Sequence, residues 1–434
     1  MYRVALMIHR RNERPMRSLP AFALAIACTS FALIRVTNAQ PSADSGDCPW
    51  HRPKLAGDLF GIRPCLAERG ITFDADVTQF YQGVASGGRR QRFRYGGHGD
   101  YVLNFDFGKL GVHKGLYLQI RAEHRFGKPV NLATGAVIPV ALSPNLPVPG
   151  DENLMLTNVL FTQDLSESLA LFFGKMDTLD GDPNAFAHGR GKDQFLNSAF
   201  VFNPIAVRTI PYSTLGAGFV LLRDASPVFT FTILNATDTS GSSGFDELFA
   251  NGVALGAELR LPVELQGLPG HQLFGATWNS KEYVALGQDP RVIVPGSGVP
   301  IERKRGSWSL RYNFDQYLYV DPSDPRRGWG LFGRAGLSDG NPNPLKWFLS
   351  FGVGGSSPIP GRAEDSFGVG WYYAGASDEL GPLVNIDDGQ GVEIYYNAAV
   401  RPWFHLTTDL QIIGPGLRNT ATAVVVGLRG KMDF

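Results

Sequence analysis

The chain closes on TAVVVGLRGKMDF, residues 422–434, and the alternation within that stretch decides the fold. Val424, Val426, Leu428, Gly430, Met432 and Phe434 fall on one face; Val425, Gly427, Arg429, Lys431 and Asp433 fall on the other. Period two is the signature of a strand with two unlike faces. A C-terminal phenylalanine on the apolar row sits where an aromatic girdle meets a membrane interface. Working backwards, LYLQIRAEHR (116–125) sets Leu116, Leu118, Ile120 and Ala122 against Gln119, Arg121, Glu123 and Arg125. YVLNFDF (101–107) and ITFDADV (71–77) repeat the pattern, with Asn104, Asp106, Asp74 and Asp76 on their polar faces.

The same reading predicts further strands over 154–163, 168–177, 215–223, 228–235, 253–260, 271–280, 306–314, 329–337, 346–353, 366–375, 391–400, 403–412 and 423–434. With the first three, that makes an all-β chain of about sixteen strands. An even count returns both termini to one side, as in bacterial single-chain barrels. Connections alternate in length: DLSES, DASP and Arg401-Pro402 are tight, whereas 80–100, 127–153, 178–214, 236–252 and 281–305 are long. Three connections on the short-turn side (261–270, 315–328, 354–365) read as longer than this rule prefers. Composition agrees, with 52 Gly, 29 Phe and 14 Tyr in 434 residues and charged residues at 18%. Glycine disfavours helices and aromatics favour strands. Beyond residue 40 no apolar run approaches the roughly 18 residues of a spanning helix.

The N-terminus reads as an export signal. Arg10, Arg11, Arg14 and Arg17 precede the apolar stretch Leu19–Ile34, and Thr37-Asn38-Ala39 offers a small-residue cleavage site before Gln40. This divides the chain into a signal peptide (1–39), a short N-terminal periplasmic segment (40–70) and a transmembrane antiparallel β-barrel (71–434). Removing the signal leaves 34 basic against 39 acidic residues, starting from 40 of each and taking off six and one. That balance gives no basic surface for nucleic acid. Cys48 and Cys65 remain as a candidate disulfide in an oxidising compartment, with two free thiols as the alternative.

In hydrocarbon every backbone donor and acceptor must be paired, so strands cross only as a closed barrel. Sixteen strands enclose an aqueous lumen rather than a packed core. The inner face carries Asp74, Asp76, Asp106, Gln119, Arg121, Glu123, Glu258, Arg311, Glu393, Asn397, Asp409 and Gln411. Burying those charges dry would cost several kcal/mol each. The expectation is therefore a water-filled lumen. Candidate solute-contacting residues are Asp76, Asp106, Arg121, Glu123, Arg125 and Glu393. Among them Arg121, Glu123 and Arg125 share one strand face beside Asp106 on the hairpin partner, and the cluster reads equally as an eyelet or as an ion-pair ladder. The Thr178–Thr214 loop, containing HGRGKDQFLNSAFVFNP, is the candidate to fold inward and narrow the pore, with an ordinary surface loop as the alternative.

The sequence resembles the carbohydrate-selective porins of the OprB type. LAGDLFGIRPCLAERGI (55–71) is similar to the family's opening segment, with Leu59 where that pattern has Trp. LALFFGKMDT, FLNSAFVF, and the Asp315-Gln316 pair of RYNFDQYLY follow in family order. Gly361, Arg362, Asp365 and Gly368 match a Pro-Gly-Arg-x-x-Asp-x-x-Gly segment, read here as structural. Glu393, Tyr396, Asp409, Gln411 and Pro415 match the family's final signature. The resemblance implies a bacterial outer-membrane location and passive passage of glucose and other small sugars into the periplasm. It implies no added domain before the barrel, since only residues 40–70 stand there.

Other readings are a general or acid-selective pore and a structural envelope barrel. Catalysis has little support: there is no H-E-x-x-H and no G-x-S-x-G. His405 and Asp409 on one strand and Ser307 and Ser309 on another are the sole hint of a triad. No cofactor, metal or catalytic residue is expected. The implied partners are small sugars and outer-membrane lipid, with monomer and homotrimer both open.

Overall fold

The computed structural model describes residues 51–148, 153–381 and 383–434. Sixteen antiparallel strands close into one barrel in which each strand pairs with its sequence neighbours and β1 pairs with β16. They are β1 (Ile71–Gly88), β2 (Phe93–Asp106), β3 (Leu116–Gly127), β4 (Met155–Ser166), β5 (Leu169–Asp177), β6 (Ser213–Arg223), β7 (Ser226–Asn235) and β8 (Val253–Leu265). The second half comprises β9 (Leu268–Val284), β10 (Arg303–Asp321), β11 (Asp324–Ser338), β12 (Leu345–Ser356), β13 (Ser366–Ala376), β14 (Gly389–Arg401), β15 (Phe404–Gly414) and β16 (Ala421–Asp433). All sixteen expected strands are present.

The alternation places its apolar row outside. Phe173, Ile233, Phe274, Leu310, Phe351 and Leu428 are each about half exposed. In water so continuous a greasy belt would drive association, and in a bilayer it is solvated by acyl chains. The opposite row turns inward, so Arg429 and Val425 of β16 are buried.

Two expectations about connections are corrected. The segment 80–100 is not a long loop: β1 runs to Gly88 and β2 starts at Phe93. Its glycines and arginines resemble a turn, but cross-strand pairing continues to Gly83↔Phe93 and carries the ladder outward. The connections 261–270 and 315–328 shrink to turns at Gln266–Gly267 and Pro322–Ser323, because β8 to β11 extend further than their apolar cores suggest.

The first strand meets the last under an N-terminal clamp. A short helix, α1 (Ile62–Glu68), precedes β1. Its Arg63 donates to the Phe73 carbonyl at 2.7 Å and to the Phe434 main-chain oxygen at 3.1 Å. Leu55 N donates to the Asp433 carbonyl at 2.8 Å. Cys65 is exposed on this helix. Its expected partner Cys48 and the expected signal peptide lie outside the described residues. At the same end of the barrel Asp365 gathers Arg362 (2.6 Å), the Tyr396 hydroxyl (2.6 Å) and Ala399 N (3.0 Å), which gives the Gly361–Gly368 segment a structural job.

Arg63 ties three segments through one charged donor, and hydrogen bonds to charged groups contribute about 1.5–3 kcal/mol. Arg63→Ala is expected to lower the free energy of unfolding by guanidinium in detergent by an amount in that range, while Arg69→Ala just after the helix leaves it unchanged.

Candidate functional site: a loop seated in the lumen

A barrel lined by charges would hold only water if its loops stayed outside. Here the loop between β5 and β6, residues 178–212, enters the lumen. The loop between β3 and β4 packs against it, with Leu142 N donating to the Leu196 carbonyl at 3.0 Å and Ser198 N to the Pro139 carbonyl at 3.0 Å. The inward fold was one of two readings of this loop. That its neighbour follows it inside was not foreseen.

Inside, the loop meets two kinds of wall. Towards β11–β16 the contact is apolar. Phe186, Phe195 and Phe200 of the loop pack on the inward rings of Phe332, Phe348, Tyr372 and Tyr395. The Phe195 and Tyr395 ring centres stand 4.8 Å apart, edge to face. Room comes from glycine: a Cβ at Gly368 would fall 2.6 Å from the Phe195 ring, and one at Gly370 equally close to that of Phe200. The expectation of a wholly water-filled interior is therefore corrected. Part of the lumen is a packed core, because strands that face a loop rather than solvent carry aromatics on their inner row.

The wall supplies hydrogen-bonding partners for the loop backbone. Arg334 of β11, buried, donates to Asp182 at 2.7 Å and to the Phe200 and Ala187 carbonyls at 2.8 and 2.7 Å. Arg429 of β16 donates to the Gly191 and Gln194 carbonyls at 2.9 and 2.7 Å. Glu393 of β14 accepts from Leu196 N (2.6 Å) and Asn197 N (2.9 Å). Asn313 of β10 donates to Asp182 at 2.6 Å and accepts from Asn184 at 2.7 Å. A buried backbone group without a partner costs about 1–3 kcal/mol, so each contact removes a penalty as well as adding a bond.

Towards β1–β5 the contact is ionic. Five carboxylates (Asp76, Asp100, Glu123, Asp177, Asp180) meet three cations (Arg121, Arg190, Lys192). Glu123 is fully buried and accepts from Arg190 and Tyr212 of the loop and from Thr157 at 2.6 Å, with His98 Nε2 3.0 Å away. Arg190 also reaches Asp177 at 3.0 Å and Asp180 at 2.9 Å. Lys192 bridges Asp76 (2.6 Å) and Asp100 (2.8 Å). Arg121 contacts Asp180, Asp100 (3.2 Å) and Asp177 (3.3 Å). Of this network Asp180 is the most exposed member, with 34% of its side chain accessible.

The sequence candidates scatter accordingly. Arg121, Glu123 and Asp76 come together here. Arg125 lies on the same face and donates to the Asn145 carbonyl at 3.2 Å, bracing the β3–β4 loop. Glu393 sits apart as the anchor of the loop backbone. Asp106 is not beside Arg121: it pairs with Tyr117, whereas Val102 lies opposite Arg121 and Asp100 opposite Glu123. Its carboxylate caps the turn after β2, accepting from Gly108 N (2.9 Å) and Lys109 N (3.1 Å). The acid expected of Asp106 is supplied by Asp100, hidden in a segment read as loop. Arg190 and Lys192 stand in the HGRGKDQ stretch, and two cations spaced by one glycine in the candidate inward loop were the available signal.

The triad hint does not assemble. His405 and Asp409 lie on β15, five strands round the wall from β10, where the Ser309 hydroxyl is bonded to Thr277 (2.6 Å) and Thr209 (3.2 Å).

A closed sixteen-stranded barrel with a greasy outer belt, an ion-lined lumen and a loop seated inside it defines an outer-membrane porin. Residues 90–434 match the model of the carbohydrate-selective porin, OprB family, and the chain belongs to that family. It is a carbohydrate porin of the bacterial outer membrane, and the family and fold are those of non-enzymatic channels. Among solved structures, the high-pH structure of Pseudomonas putida OprB is similar, with TM-score 0.75 and 19% identity over 88% of this chain and 99% of that one. The low-pH structure of the same protein matches with TM-score 0.54 and 16% identity over the same shares. No curated protein sequence matches the chain.

Glu123 is a buried carboxylate that accepts from Arg190, Tyr212 and Thr157, so an amide in its place turns a donor towards donors while Arg190 keeps Asp177 and Asp180, at a cost of about 1–3 kcal/mol. Glu123→Gln is expected to lower the unfolding free energy by a few kcal/mol and to expose the loop to protease in folded barrels. Asp180 adds a pH signature. Burial disfavours its charge, but Arg121 and Arg190 outweigh this and hold its carboxyl well below the usual range. A depressed carboxylate stabilises fully above its unfolded value of about 3.9 and loses that contribution as pH falls through the folded one. The stability gap between wild type and Asp180→Asn is therefore expected to stay constant from about pH 5 to 9 and to shrink below about pH 4.

Proposed function

We propose that the pore passes small neutral sugars of about monosaccharide size by passive diffusion, and that the seated 178–212 loop sets the size limit. The observation that carries this reading is the loop's double attachment, apolar on one side and ionic on the other, which holds it fixed inside the barrel. Vicinal hydroxyls of a sugar are both donors and acceptors, and a rim of paired charges offers both kinds of partner without a net demand for a charged solute. Asp180 and Arg121 are the rim groups in this proposal, with Asp76 next to them. Glu123 and Glu393 act one step back, holding the loop, and Arg125 supports its neighbour. Asp106 is left as a turn cap.

Liposome swelling with arabinose, glucose, maltose and a maltotriose control tests this reading. Rapid entry of the monosaccharides and a drop of about tenfold or more at maltose are expected, since each 1.4 kcal/mol of added barrier is tenfold in rate. Asp180→Ala is expected to slow glucose entry and soften the cut-off. Equal entry of glucose and maltotriose would refute a loop-set limit.

A further inference from the structure

The lumen contains a third kind of surface that neither the packed core nor the ion network uses. The other inward arginines are committed to protein acceptors: Arg334, Arg429, Arg190 and Arg121 donate to carbonyls or carboxylates, and Arg311 pairs with Glu258 at 2.8 Å. Arg208, in the last turn of the seated loop, is different. Its guanidinium is half-buried, its Nε has no partner, and it forms no ion pair among the described residues. Lys281 of β9 is likewise half-buried without a carboxylate partner among the described residues.

Both cations instead lie over one ring. The Arg208 guanidinium carbon is 5.1 Å, and the Lys281 ammonium 4.9 Å, from the centre of Tyr283. Tyr283 is held in place by its hydroxyl, which donates to the Arg208 carbonyl at 2.8 Å. A third cation joins them: Lys304 stands opposite Tyr283 in the β9–β10 register and donates only to the Asn341 carbonyl. The nearest acids keep their charge but form no ion pair with the cluster among the described residues. Asp339 accepts from the Ser307 hydroxyl at 3.3 Å, and Asp238 accepts from Ser213 N, Ser240 N and the Ser240 hydroxyl at 2.9, 2.9 and 2.7 Å. Three cations thus face two carboxylates, Asp339 and Asp238, that act on them at longer range without an ion pair among the described residues. This leaves an excess of positive charge, and stacking on an aromatic face returns only about 0.5–2 kcal/mol. Such a cluster is balanced by an anion from solution, and a guanidinium with free parallel N–H groups fits a carboxylate or phosphate two oxygens at a time.

Position gives the cluster a role. It lies at the end of β9 that feeds the long 285–302 connection, where the seated loop returns to the wall, on the outer side of the constriction. We propose that Arg208, Lys281 and Lys304, gathered around Tyr283 in the outer vestibule, bind the anionic group of sugar acids and sugar phosphates and concentrate these solutes at the pore. This deepens the sugar-pore reading and rests on it. A fixed positive site in a water-filled mouth raises the local concentration of an oppositely charged solute and selects anions over cations.

The test pairs two readouts on the full-length refolded barrel. In planar bilayers under a KCl gradient, the reversal potential of Arg208→Gln/Lys281→Gln is expected to shift towards cation selectivity relative to wild type. In liposomes, the ratio of gluconate to glucose entry is expected to fall roughly fivefold, as loss of attraction to unit charges at high dielectric predicts. Arg208→Lys, which keeps the charge, is expected to retain most of that ratio. An unchanged reversal potential together with an unchanged ratio would overturn the proposal. Failure of glucose to enter wild-type liposomes would count against the sugar-pore reading instead, and the reversal potential would still decide whether the vestibule attracts anions.

Discussion

Arg334 and Arg429 reach from the barrel wall into the backbone of one loop, and the interior is arranged around that contact. A loop drawn into a barrel gives up water for its peptide groups, and a strand wall has no spare backbone donors or acceptors to replace it, because all are committed to the ladder. Side chains must therefore make up the difference. Two buried guanidinia supply donors to the Ala187, Gly191, Gln194 and Phe200 carbonyls, and one buried carboxylate, Glu393, accepts from Leu196 and Asn197. The charge of each arginine is tolerable inside because planar, multi-donor geometry lets several acceptors share it.

Once the loop backbone is satisfied, its side chains sort by wall. The aromatic row of the loop covers the glycine-spaced inner face of β12 to β14, where ring fits against backbone. The charged tip, Arg190 and Lys192, finds the acids of β1 to β5. Where the loop returns to the wall, Arg208 and Lys281 lie over the Tyr283 ring without an ion pair among the described residues. Three uses of inward charge thus coexist: arginines that hold the loop backbone, charges paired across β1 to β5, and cations stacked on Tyr283 without an ion pair among the described residues.

The strand count was legible because lipid enforces strict alternation on the outer face, from Leu116 to Ala122 as from Val424 to Phe434. Strand length was not, since glycines at 83, 87 and 88 read as a turn while their backbone still pairs or bends within the sheet. The error over Asp106 follows directly: with Asp100 assigned to a loop, the next acid along was taken as the partner of Arg121. The packed half of the lumen left a trace that went unread. Phe332, Phe348, Tyr372 and Tyr395 share a face with polar lumen positions, and aromatics there break the wet inner row that a simple water-filled tube requires. Arg208 and Lys281 carry no pattern at all in one dimension, because a residue near the end of a loop and one on a strand some seventy positions later meet only through the fold.

The central claim is that the seated loop, not the barrel diameter, determines what passes. Its most direct test is single-channel conductance, in 1 M KCl, of a barrel in which residues 181–203 are replaced by a short Gly-Ser linker. A severalfold rise in conductance in a barrel that remains folded and heat-modifiable is the predicted result. A folded barrel whose conductance equals that of the wild type would contradict the account, since the opening would then lie elsewhere in the lumen.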